Sequence, residues 1–164
     1  MASAKPRFVF ESQTPYEEAR IGAAAVYCSD GRIGEQMDDF LHNGLQLPRY
    51  DRVACPGGPV CLSGRLGALW ESRGVEEQLR FLLRAHQVRR VILIGHSGCA
   101  YYRTHLGIAE ARVEAEQLAD LARAANTIRR GGMAPDLEIQ TYFAHRQGPR
   151  VQFEHITLSH SEFV

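Results

Sequence analysis

VEEQLRFLLRAHQVRRVILIGHSGC, residues 75–99, changes its period midway. In the first half, Val75, Leu79, Leu82, Leu83 and His86 recur at helical spacing with arginine and glutamate between them, which predicts a surface helix. VILI (91–94) then runs without a polar break, as in a parallel strand covered on both faces. A helix delivering the chain to such a strand is the repeating unit of an α/β domain.

The same alternation extends in both directions. Upstream, Gly22–Tyr27 predicts a short buried strand, residues 31–44 allow a brief helix ending at Gly44, and YDRVAC (50–55) predicts another strand before the PGGP turn at 56–59. Downstream, residues 108–130 carry Val113, Leu118, Leu121, Ala125 and Ile128 on one helical stripe, stopped by Gly131-Gly132. LEIQTYFAH (137–145) and RVQFEHITL (150–158) follow as strands, and the QGP between them is short enough for a hairpin. The expected fold is therefore α/β, a mainly parallel central sheet flanked by helices with an antiparallel pair at one edge. Residues 1–20 read as an N-terminal arm, with FVF at 8–10 more apolar than a free tail needs, and 21–164 as one domain.

Composition narrows the function. The 164 residues carry 19 basic and 19 acidic side chains, so no charge excess argues for nucleic acid or an anionic membrane. No segment has the length of a signal peptide core or a membrane span, which points to the cytoplasm. In that reducing compartment Cys28, Cys55, Cys61 and Cys99 are free thiols, ligands or nucleophiles rather than a disulfide framework. Neither a phosphate-binding loop nor a G-x-G-x-x-G stretch occurs, and Cys99 is wrongly spaced from His96 and Arg103 for a cysteine phosphatase.

Reactive groups of open α/β sheets collect beyond the carboxyl ends of strands. Cys28-Ser-Asp30-Gly-Arg32 follows the first strand, and His96-Ser-Gly-Cys99 follows VILI. Two thiolates and an imidazole suit zinc, and small Ser97 and Gly98 let the H-x-x-C turn wrap closely. Asp30 either fills a fourth coordination position or is held by Arg32 as a hydrogen-bond acceptor beside an open one. A structural zinc protein, with Asp30 closing the site, and a thiol enzyme using Cys99 are the competing readings. Cys55 and Cys61 read as buried thiols or as shapers of the nearby loop.

These two motifs resemble those of the beta-class carbonic anhydrases, C-x-D-x-R and H-x-x-C, and residues 75–99 resemble the helix and strand leading to the second motif. The resemblance covers about residues 20–105. It implies one zinc per subunit held by Cys28, His96 and Cys99, an Asp30–Arg32 catalytic dyad, and a homodimer or larger homo-oligomer. The implied reaction is reversible hydration of carbon dioxide to bicarbonate and a proton by zinc-bound hydroxide. In some members the aspartate binds the metal in an inactive state. This chain departs from the family where two glycines usually follow the second cysteine: Ala100, Tyr101 and Tyr102 stand there. The expectation is that one tyrosine packs under the following helix while the other lines the substrate path. Related zinc hydrolases of carbonyl sulfide or carbon disulfide share the scaffold and are the alternative assignment.

Overall fold

The computed structural model describes residues 8–134 and 136–158. His160 and the first seven residues of the expected arm lie outside them. Five strands form one sheet: β1 (Ala23–Cys28), β2 (Asp51–Cys55), β3 (Arg90–His96), β4 (Glu138–Gln147) and β5 (Arg150–His155). Their order is β2-β1-β3-β4-β5, parallel except for the β4–β5 pair. The antiparallel edge comes from a two-residue connection, Gly148-Pro149, in which Gly148 takes the positive φ of 58° that such a tight hairpin requires.

Helices α1 (Gly34–Asp39), α2 (Leu69–Ala85) and α3 (Glu110–Arg130) connect the parallel strands. The chain moves one way from β1 to β2 and the opposite way from β2 to β3 and β4. Right-handed crossovers then put α1 on one face and α2 and α3 on the other. Side-chain alternation along the strands matches. Ala24, Val26, Val91 and Leu93 pack with Val75, Leu79, Leu121 and Ile128, whereas Ala23, Ala25, Ile92 and Ile94 pack with Met37, Leu41 and Tyr50. Each central strand is thus buried on both faces, as the unbroken apolar run of VILI predicts.

Several boundaries differ from the sequence reading. α2 begins at Leu69 rather than Val75, because its first turns bury little and leave Trp70 95% exposed. The helix after residue 31 is short and widens into a π-turn at Phe40–Gly44. PGGPVCL is more than a turn: Gly58–Leu62 form a fully buried 3-10 segment.

Reversal of the strand order after β2 leaves a crevice beyond the carboxyl ends of β1 and β3, where the chain departs in opposite directions. Tyr27 is in register with Ile94, so Cys28 ends β1 level with Gly95, one residue before β3 closes at His96.

Candidate metal centre

Cys28 closes β1, His96 closes β3, and Cys99 follows a turn in which Gly98 adopts a φ of 70°. All three are buried, and their ligand atoms lie within 4.8 Å of one another, the one such cluster among the described residues. The two sulfurs are 3.9 Å apart. Two thiolates bound tetrahedrally to zinc at about 2.3 Å stand about 3.8 Å apart, so the spacing fits the ion.

His96 is oriented by its neighbours. Its Nδ1 is 3.0 Å from the Ser97 carbonyl, which can only accept, so Nδ1 carries the proton and Nε2 carries the lone pair. That Nε2 is buried without a hydrogen-bond partner. An orphaned lone pair facing two sulfurs is what a metal-binding imidazole requires, and its cost without an ion argues against an ordinary core histidine. Gln117 on α3 holds the residue from behind: its Oε1 accepts from the His96 amide at 3.1 Å and its Nε2 donates to the His96 carbonyl at 2.8 Å. The turn is also pinned to β4, with the Ser97 amide donating to the Ala144 carbonyl at 2.9 Å.

The thiols behave as a pair. Cys28 is drawn down to about 4, mainly by the hydrogen bond from Cys99 and, against its burial, by His96. That bond and burial push Cys99 up, while the backbone amides of Tyr102 and Tyr101 pull its sulfur the other way. One proton is thus shared between two sulfurs that repel as thiolates unless a cation lies between them.

Asp30 stands outside the group of three close ligand atoms and is paired with Arg32. Arg32 Nε donates to its Oδ1 at 2.9 Å, Nη2 donates to Oδ2 at 2.5 Å, and the Arg32 amide adds a 3.0 Å bond to Oδ1. This fork holds the carboxyl down at about 2, against a smaller opposing effect of burial. Asp30 is therefore an ionised, acceptor-only group across the physiological range.

A cleft of about 330 Å³ opens beside Cys28, lined by Cys28, Ser29, Asp30, Arg32, Pro56, Ala100 and Tyr101. The two tyrosines divide as expected. Tyr102 is buried and donates to Asp120 of α3 at 2.9 Å, while Tyr101 lines the cleft and stacks on His105. Tyr101 and the 56–59 turn also shape each other, since a methyl at Gly57 would meet the Tyr101 ring at 2.6 Å. His42, His86, His145 and His155 fall outside the cleft lining. Sequence reasoning missed Gln117 and the charged cluster that Glu116, Asp120 and Arg123 of α3 form with Arg65. The available signal was a glutamine one helical turn from both Val113 and Leu121, on a stripe that is otherwise apolar.

Residues 19–156 match the model of a family described as putative carbonic anhydrase. No curated protein matches the sequence. Among solved structures, beta-carbonic anhydrase isoform I of Trichomonas vaginalis is similar with a TM-score of 0.57 at 14% identity, covering 87% of each chain. The beta-carbonic anhydrase CafD of Aspergillus fumigatus gives 0.52 at 11% identity over 88% of this chain and 94% of its own. A carbonic anhydrase from Glaciozyma antarctica gives 0.51 at 15% identity over 80% of each. At such identities the likeness establishes the fold, which is that of the beta-carbonic anhydrases.

Proposed function

The chain belongs to the putative carbonic anhydrase family, and from that premise we propose that it catalyses the zinc-dependent, reversible hydration of carbon dioxide to bicarbonate and a proton. Cys28, His96 and Cys99 would hold the ion. Bound there, zinc supplies the Lewis acidity that brings the pKa of water down to about 7 and so provides a nucleophile at neutral pH.

The remaining roles fall to the dyad. Asp30 would accept a hydrogen bond from the attacking oxygen and thereby turn that oxygen's lone pair toward the carbon. Arg32 keeps the carboxylate ionised and fixed in rotamer. Buffer or a surface histidine takes up the released proton. The observation that carries this reading is the unpartnered, buried Nε2 of His96 beside two sulfurs, with the Asp30 carboxylate committed to Arg32. A purely structural site closed by Asp30 would leave that fork without a purpose.

Tyr101 in the cleft, where the resemblance leads one to expect glycine, favours a second reading: hydrolysis of carbonyl sulfide or carbon disulfide by the same groups. Metal content by mass spectrometry and carbon dioxide hydration by stopped flow decide the matter. About one zinc per chain is expected in the wild type and in Asp30→Ala, with turnover falling at least about 100-fold in the variant. Zinc without hydration at any pH would end the proposal, and sulfide release from carbon disulfide by that sample would select the second reading.

The same proposal takes the protein as a cytoplasmic homodimer or larger homo-oligomer. Exposed Phe8, Val9 and Phe10 support a role for the arm in self-association, to be checked by light scattering. Among the described residues no helix is long and apolar enough to cross a membrane.

A further inference from the structure

We propose that Cys55 and Cys61 are a modification site: exposed to hydrogen peroxide, they close into a reversible disulfide within one loop, separate from the three-atom cluster. Cys55 ends β2 and Cys61 lies in the buried 3-10 segment that follows. Positive φ at Gly57 and Gly58 folds the intervening turn back on itself. Both sulfurs reach into that turn, Cys55 toward the Gly58 carbonyl and Cys61 toward the Pro56 carbonyl, each at 3.5 Å. Cys55 also packs against the apolar cluster that contains Cys61.

Their exposures divide the labour. Cys55 is partly exposed and open to a small oxidant, whereas Cys61 is fully buried beside it. The Cys55 sulfur attacks one peroxide oxygen; an S–O bond forms, the O–O bond breaks, and the departing hydroxide leaves as water with the thiol proton. Cys61 sulfur then attacks Cys55 sulfur; the S–S bond forms, the S–O bond breaks, and a second water leaves with the Cys61 proton. Overall, two thiols lose two electrons to one peroxide, giving a disulfide and two waters.

This turn supports the metal-bearing end of β1. Cys55 is in register with Cys28, its carbonyl accepts from the Ser29 amide at 3.1 Å, and Gly58 lies so close that a methyl would meet the Cys28 amide nitrogen at 2.8 Å. Oxidation therefore alters the seat of the cleft without consuming a cluster sulfur.

The experiment treats the full-length, zinc-supplemented protein with one equivalent of hydrogen peroxide, blocks residual thiols, and maps peptides by mass spectrometry. A loss of about 2 Da in a bridge joining Cys55 to Cys61, reversed by dithiothreitol, is expected. In Cys61→Ser the same treatment leaves a sulfenic acid on Cys55 that dimedone traps. Four free thiols after treatment, a bridge between Cys28 and Cys99, or a bridge between chains would each overturn the proposal. The wild-type map decides even if the variant does not fold. It is read without turnover, so failure of the hydration assay leaves the result intact.

Discussion

His96 closes β3 and Arg32 lies just beyond the end of neighbouring β1, yet His96 is 3% exposed and the Arg32 side chain 74%. His96 is fixed by backbone: Gln117 brackets its peptide, Ser97 sets its tautomer, and β4 anchors the turn. The Asp30–Arg32 half is fixed by one charged fork on a loop open to water. On the proposed reading, groups that would surround an ion are locked into the sheet, while groups that would meet a substrate are held by a contact that solvent can reach. Loss of the first kind should damage the molecule, and loss of the second only its chemistry.

The largest effect falls on the locked half. Cys28→Ala should take zinc from about one per chain to a small fraction and lower the Tm by roughly 10 °C, because metal binding contributes folding energy. Unchanged metal content and melting would break the comparison. Gln117→Ala comes next. It strands the buried amide and carbonyl of His96, so urea unfolding should show a loss of about 2 kcal/mol or more. Metal competition should show zinc affinity weakened about 10–100-fold. If stability falls and affinity does not, Gln117 supports the core alone.

Arg32→Ala is the smallest change and sharpens the contrast. Zinc content and melting at pH 7 should stay close to wild type, while the Asp30 carboxyl, now at about 2, rises toward the ordinary carboxylate value near 4. The sign follows from that depression: the stabilisation Asp30 gains from Arg32 is present above about pH 4 and is lost as pH falls toward 2. Carboxyl NMR titration of both proteins reads the shift directly, and an Asp30 that titrates identically in the two would remove the fork from the argument.

The sequence makes the sheet and the cluster legible for one reason. Cys28, His96 and Cys99 each follow an apolar run that can only be a buried strand, so their place at its end is written in the hydrophobic pattern. Asp30 and Arg32 are legible through their two-residue spacing, whereas the fork that joins them is seen only in the structure. Gln117 and Asp120 escape because periodicity records where a side chain faces and not what it bonds to; both occupy core-facing positions of α3. Burial of residues 58–62 escapes for the converse reason. Glycine and proline normally signal exposed turns, and only the close seat against Tyr27 and Cys28 explains their presence here.

The reversal of strand order has a consequence for how the molecule assembles. One sulfur arrives with β1, and the other two donors arrive only after β2 and α2 have been laid down and the chain has returned to the far side of β1. A nascent chain that stops before β3 holds one of the three cluster residues. On the proposed reading, uptake of metal would certify that the middle of the sheet has zipped, and following it during refolding would time that long-range event.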